Sequence, residues 1–195
     1  LVGNHSDVRK AVSSDFKNVG DSIYLVGETH QELGASELAF MLRDAGNGGI
    51  GGQVPEVDAS RNLTMYRALT SAMADTLVSS AHDCSDGGLA VALAECCFGA
   101  DTGARIDLAP LWDDCDTLDK WGALFGESQG RILVSVRQEN REEFQSAMKG
   151  NACHYIGTIT DGDDIHFSNG EEDILVTSMN GLRTAWKESL DGGSL

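Results

Sequence analysis

Residues 83–88 read Asp-Cys-Ser-Asp-Gly-Gly and lead straight into an Ala-rich stretch of helix-forming sequence. A turn that opens a helix leaves four backbone amides without partners, and the helix dipole favours an anion beside them. Gly87 and Gly88 would let a phosphate approach the backbone with no Cβ in the way, and Ser85 could add its hydroxyl. Asp83 and Asp86 suit a different contact, to an amine, a hydroxyl or a Mg²⁺ that bridges to a nucleotide or sugar phosphate. The structural alternative is that Ser85 or Asp86 caps the helix and the glycines serve tight packing. Residue types alone leave both open.

Other candidates carry less. Gly46, Gly48 and Gly51 match the letters of the dinucleotide fingerprint, but they follow a helix and lead to Pro55, whereas the fingerprint works only between a strand and a helix start. A loop is expected there. His82 precedes the turn and is read as a hydrogen-bonded structural residue; His5, His30, His154 and His166 show no metal-ligand spacing, and no Ser-His-Asp order can be defended. The five cysteines, at 84, 96, 97, 115 and 153, contain no C-x-x-C pair, and neighbours on a helix point about 100° apart, so Cys96 and Cys97 cannot share one metal. No metal ligand is assigned.

The formal net charge is −17, from 31 acidic against 14 basic residues spread along the chain. Nucleic acid and anionic membranes are poor partners, because both need clustered Lys and Arg. Scarce Lys with dispersed acids suggests adaptation to high salt, where screening relieves self-repulsion. An unchanged melting temperature between dilute buffer and molar salt would sink that expectation. Reduced thiols and the lack of a signal or apolar span point to the cytoplasm. An opening with neither Met nor signal suggests a piece of a longer polypeptide.

The elements that must position these residues follow from pattern. Residues 22–26, Ser-Ile-Tyr-Leu-Val, predict a buried strand ended by Gly27, and a helix capped by Ser36 is expected to run to Gly46. Asp58 or Ser60 caps a long helix whose apolar face is expected to be Leu63, Tyr66, Thr70, Met73 and Leu77. An extended stretch over 81–84 precedes a helix to about Phe98, with Leu89, Leu93 and Cys96 as its stripe. Strand 131–136, helix 139–148 and strand 153–160 form a β-α-β unit. Turn signals at 161–164 precede 165–167, with 173–177 beyond, so a hairpin and an edge strand are expected to follow, and a last helix runs from Gly181 to Leu190. The irregular order argues for α+β rather than a doubly wound sheet. Residues 1–21 are read as a lead-in, 22–190 as the domain, and 191–195 as a frayed tail.

Residues 81–95, Ala-His-Asp-Cys-Ser-Asp-Gly-Gly-Leu-Ala-Val-Ala-Leu-Ala-Glu, resemble almost residue for residue a segment in the C-terminal half of the formylglycinamidine ribonucleotide synthase family. Residues 27–37 resemble its Gly-x-Thr…Glu-Leu-Gly-Gly-Ser-Glu element, 124–136 its Phe-x-Glu-Ser-Gln-x-Arg approach to a strand, and 156–159 also fit. The likeness runs in order over about 22–190. Ala35 stands where the family has a second glycine, and Leu38 where an aromatic is common, which weakens any claim that Gly34 and Ala35 touch a ligand.

The resemblance implies a three-layer α/β/α domain with a mixed sheet, like the C-terminal domain of aminoimidazole ribonucleotide synthase. It implies a ligase of purine biosynthesis that turns formylglycinamide ribonucleotide, glutamine and ATP into the amidine, glutamate, ADP and phosphate, with Mg²⁺ for the ATP. The partners implied are ATP-binding domains earlier in the same polypeptide and a glutaminase subunit or domain. This chain alone is then expected to be inactive, with no catalytic residue and no tightly bound cofactor. Asp83, Ser85, Asp86, Gly87 and Gly88, with Glu127, Ser128 and Gln129, are the implied substrate- or phosphate-binding set. The last three are substrate contacts in the first-half domain, and in a second-half copy they could instead only order the strand approach. A purely structural or auxiliary-nucleotide domain is one alternative. A related small-molecule kinase, such as thiamine-monophosphate kinase, is another, although Phe-Gly-Glu-Ser-Gln-Gly-Arg over 125–131 speaks against it.

Overall fold

A run of β-branched, aromatic and aliphatic residues with no polar alternation must be buried on both faces, and β1 (Ser22–Val26) is. Ile23 and Leu25 enter one core, Tyr24 and Val26 the other. The computed structural model describes residues 7–46 and 51–190. The glycine-rich loop expected at 46–52 therefore falls largely outside the described residues, as do His5 and the tail at 191–195.

From β1 the chain continues through α1 (Glu37–Asp44), α2 (Ala59–Ala74), β2 (Ser80–Asp83), α3 (Gly88–Ala100), β3 (Gly103–Asp107) and α4 (Lys120–Phe125). Then come β4 (Ile132–Val136), α5 (Arg141–Ala147), β5 (Cys153–Thr160), β6 (Asp164–Asn169), β7 (Glu172–Ser178) and α6 (Met179–Leu190). The seven strands lie in the order β2-β4-β1-β5-β3-β6-β7. All neighbours are antiparallel except β3 and β6, so the sheet is mixed. Because β4 and β5 both run antiparallel to the β1 strand between them, the β-α-β unit spans one intervening strand.

Helices cover both faces, which gives three layers. One face packs Ile23, Leu25, Leu133, Ile106 and Phe167 against Leu89, Leu93 and Cys96 of α3, the stripe expected from sequence. Each fully buried leucine there contributes about 1.5–3 kcal/mol. The other face packs Tyr24, Val26, Val134 and Val136 against α2 and Phe144 of α5.

The α2 face is a correction. Met65, Leu69 and Ala72 are buried, whereas Leu63 and Tyr66 are 50% and 36% exposed. Both stripes have helical spacing, and the rotation of the helix, held by Asp58 accepting from the Arg61 amide at 3.0 Å, selects between them. Strand β3 and helix α4 carried too little local signal to be expected. β3, Gly-Ala-Arg-Ile-Asp, is a strand because β5 and β6 flank it on both edges. Within the segment read as lead-in, Phe16 is buried in the larger core and its amide donates to the Cys96 carbonyl at 3.0 Å. The packed body thus reaches upstream of Ser22.

Candidate functional site

Register brings distant motifs together. Asp83 at the end of β2 and Val26 at the end of β1 both pair with Ile132 at the start of β4, and Val26 also pairs with Cys153 at the start of β5. The loops at 27–36, 84–87, 126–131 and 150–152 consequently crowd one end of the sheet.

At that end Glu127 answers the two helices that begin there. Its Oε1 accepts from the Gly87 amide at 2.9 Å and from the Glu37 amide, the first of α1, also at 2.9 Å. A carboxylate at a helix start satisfies orphan donors and complements the dipole. The anion at the α3 start is therefore supplied by the chain itself. Gly88 donates to the Ser85 carbonyl at 3.1 Å. Neither Ser85 nor Asp86 caps the helix: the cap is Gly87, without a side-chain bond, and the Ser85 hydroxyl donates to Asp83 at 2.6 Å. That donation holds the Asp83 carboxyl below its usual range. Asp83, Ser85 and Asp86 are exposed, and Gly87 and Gly88 are buried. Removing Glu127 strips both helix starts at once, so Glu127→Ala is expected to lower stability by about 1–2 kcal/mol. Glu127→Gln keeps an acceptor oxygen and should recover most of it in urea unfolding; equal losses for the two would contradict the geometry.

Ser128 is buried, accepts from the His30 amide at 3.0 Å and ties residues 27–32 to the β4 approach. Gln129 is exposed and its amide donates to the Glu127 carbonyl at 3.2 Å. Beneath both lies Arg131, only 1% exposed, which sequence reasoning did not single out. It donates to the Ser128 carbonyl at 3.2 Å, to the Thr29 hydroxyl at 3.3 Å and to the Gly126 carbonyl. Burial pulls its pKa down, while Cys84, Glu32, Asp114 and Glu127 oppose that pull. An arginine remains charged regardless.

Beside this cluster opens a cleft of 560 Å³, lined among others by Glu28, Glu32, Asp58, Arg61, Ser128 and Gln129. Of the predicted set it takes in Ser128 and Gln129 and leaves Asp83, Ser85, Asp86, Gly87, Gly88 and Glu127 outside its lining.

His82, Cys84 and Cys97 take structural places. His82 Nε2 lies 2.7 Å from Glu95 Oε2, in line with a hydrogen-bonded residue. Cys84 is buried, and burial pushes its thiol up to about 11, as it pushes Cys97 up to about 12. His154 is the residue that spacing could not find: its partner Asp114 lies 40 positions away, at 2.8 Å, and also accepts from the Thr29 amide at 2.9 Å. The Asp114 hydrogen bond raises the His154 pKa against desolvation. A raised histidine contributes stability fully below its unfolded value near ~6.5 and loses it as pH climbs through the folded value. The stability gap between wild type and His154→Gln should accordingly be widest in mildly acid buffer and narrow on the alkaline side. A urea-unfolding series across pH checks this, and a gap that widens with pH would refute it.

Ala35, at the family's second glycine, has φ of +60°. The departure noted in the sequence is thus a matter of backbone conformation more than of methyl volume, since left-handed φ costs a non-glycine residue roughly 1–2 kcal/mol.

Residues 18–168 match the model for "AIR synthase related protein, C-terminal domain". The chain belongs to this family. Its fold is that of Thermotoga maritima PurL complexed with FGAR, with a TM-score of 0.76 at 15% identity over 90% of this chain and 30% of that one. Phosphoribosylformylglycinamidine synthase II from Thermotoga maritima aligns with a TM-score of 0.73 at 15% identity, over 89% of this chain and 27% of that one. The hydrogenase maturation protein HypE of E. coli aligns with a TM-score of 0.59 at 13% identity, over 86% and 51%. The chain thus spans less than a third of the synthase chains it matches. Among its described residues no helix is long and apolar enough to cross a membrane.

Proposed function

We propose that this domain is the C-terminal part of an ATP-dependent formylglycinamidine ribonucleotide synthase, a ligase of purine biosynthesis. The observation that carries the reading is the meeting, at one end of the sheet, of the three segments that resemble that family, 27–37, 81–95 and 124–136. In the intact enzyme ATP activates the amide oxygen of formylglycinamide ribonucleotide as a phosphate, and ammonia from a glutaminase partner displaces it. The part of this chain is positional. Asp83, Ser85 and Asp86 present exposed polar groups, Ser128 and Gln129 line the neighbouring cleft, and Gly87 and Gly88 shape the turn between them. Mg²⁺ enters this reading with the ATP, on the preceding domains of the same polypeptide.

Mixing this chain with an ATP-binding half of the family tests the reading. The expected result is a stable complex that forms ADP when given formylglycinamide ribonucleotide, ATP and ammonia, from two halves inactive alone. No complex and no turnover would overturn it.

One observation favours a second reading, a structural or auxiliary-nucleotide role within the same enzyme. The Gly87 amide is already taken by Glu127, so a phosphate at that turn would have to share or displace a carboxylate. Asp86→Asn in the intact enzyme separates the two: an unchanged KM and kcat support the structural role, and a raised KM supports substrate contact.

A further inference from the structure

Helices α2 and α5 pack over the β2-β4-β1 half of their face of the sheet. Beyond that half, Tyr155 of β5, Arg105 of β3 and Val176 of β7 are exposed, and Thr158 and His166 are half-buried. Register sets them in a row: Thr158 pairs with Arg105, Arg105 with His166 and His166 with Val176. Tyr155, Thr158, Arg105 and His166 join Asp107, Pro110 and Ser168 around a cavity of 320 Å³. That volume lies at the lower end of the range for small-molecule sites. The cavity shares no lining residue with the cleft at the end of the sheet.

Arg43, Arg61 and Arg183 each pair with a carboxylate, whereas Arg105 pairs with none among the described residues and touches only the His166 ring. A guanidinium only donates, so His166 Nδ1 accepts from Arg105, and His166 Nε2 carries the hydrogen that it gives to Asp173 at 2.6 Å. The neutral imidazole holds Arg105 from one side and leaves its remaining N–H groups unspent. Tyr155 and Thr158 share one hydrogen bond between two hydroxyls at 2.9 Å, so one hydroxyl hydrogen there is unspent as well. The other polar groups are engaged: Ser168 donates to the Ile106 carbonyl at 3.2 Å, and one Asp107 oxygen accepts from the Ala109 and Gly170 amides at 3.0 and 2.8 Å. Arg141, over the Tyr155 ring at 4.6 Å, bonds to Gln138 and adds a second cation without a carboxylate partner. In a chain with 31 acidic residues, this patch collects donors.

We infer that this cavity binds a small organic molecule through a single carboxylate, held by the Arg105 guanidinium and the hydroxyl pair of Tyr155 and Thr158. The planar fork of an arginine matches a carboxylate with two parallel hydrogen bonds. A dianion such as a phosphate monoester fits less well, because Asp107 lines the same cavity and Asp173 stands just behind His166. Tyr155 and Pro110 supply apolar wall for the body of the ligand, which favours an aromatic or aliphatic acid over a bare ion. This inference does not depend on the synthase reading.

The test uses the 195-residue chain, with the backbone amides of residue 105 and Thr158 as reporters because they lie side by side across the β3 and β5 pair. Benzoate is titrated at fixed ionic strength while their ¹H–¹⁵N resonances are followed, and saturable movement is expected. Arg105→Met, at an exposed position, should weaken binding by about tenfold or more with the rest of the spectrum intact. Tyr155→Phe combined with Thr158→Val removes both hydroxyls and should weaken it severalfold. Benzamide keeps the ring without the charge, and phenyl phosphate offers a dianion in place of the carboxylate; both should bind more weakly than benzoate. Equal binding of benzamide would reduce the cavity to an apolar contact, and tighter binding of phenyl phosphate would make it a phosphate site; either result overturns the inference. So would movement that does not saturate, or unchanged affinity in either variant.

Discussion

Arg131→Met is expected to destabilise the fold by about 3–5 kcal/mol, the range for breaking a buried charged network by removing one member. The side chain is nearly fully buried, and its loss leaves the Thr29 hydroxyl and the Ser128 and Gly126 carbonyls without their donor. Each stranded group carries a desolvation penalty of about 1–3 kcal/mol. Arg131→Lys should recover little, because one compact ammonium cannot span three acceptors that a planar guanidinium reaches together. Urea unfolding of the two variants decides the matter. A loss below about 1 kcal/mol for methionine, or full recovery by lysine, would show that the network is dispensable.

Gly88→Ala is expected to cost about 3 kcal/mol or more, from two sources. Gly88 has φ of +67°, where a side chain is strained by roughly 1–2 kcal/mol. A Cβ would also stand 2.5 Å from the Gly126 carbonyl oxygen and 3.0 Å from that of Leu124. Both are backbone atoms at the end of α4 that cannot rotate away, so α3 would have to lift from its neighbour. Gly20→Ala is the internal control: its φ is +90°, but nothing lies within 4 Å of the added atom, so only the conformational part should be lost. If the two substitutions cost the same, close approach of α3 to α4 is not what holds Gly88 as glycine. The same experiment weighs the meaning of residues 83–88. A packing glycine at 88 and a self-supplied anion at 87 together explain much of that turn without any ligand.

Local signals carried a good part of the fold. β1 and β5 lie where their apolar and β-branched runs placed them, and Ser36 and Asp58 cap the helices they were expected to cap. The stripe of α3 also follows directly from spacing, whereas the turn at 161–164 does not close a hairpin, because β3 lies between β5 and β6. The features that followed depend on interactions within one element or between adjacent ones. α2 shows where such reading stops. Two stripes of equal period compete on one helix, and only its seating over Tyr24 and Val134 buries Met65 and Leu69 and leaves Leu63 outside.

The site divides along the same line. Resemblance singled out Asp83 to Gly88 and Glu127 to Gln129 as separate segments, about 40 residues apart, and left open whether either touched a ligand. That Glu127 is the anion at the Gly87 amide follows only once β2, β4 and β1 lie side by side with their ends in register. Asp114 with His154 and Arg131 beneath Ser128 have no local signature at all. By itself the sequence determined most of the strands and helices and the caps at Ser36 and Asp58, because backbone preferences and apolar periodicity act over a few residues, and its motifs pointed to the family. Strand order, helix rotation and the partners of buried charges were decided by tertiary structure. A hydrogen bond spanning 40 or 90 positions exists only when the whole sheet brings its two ends together.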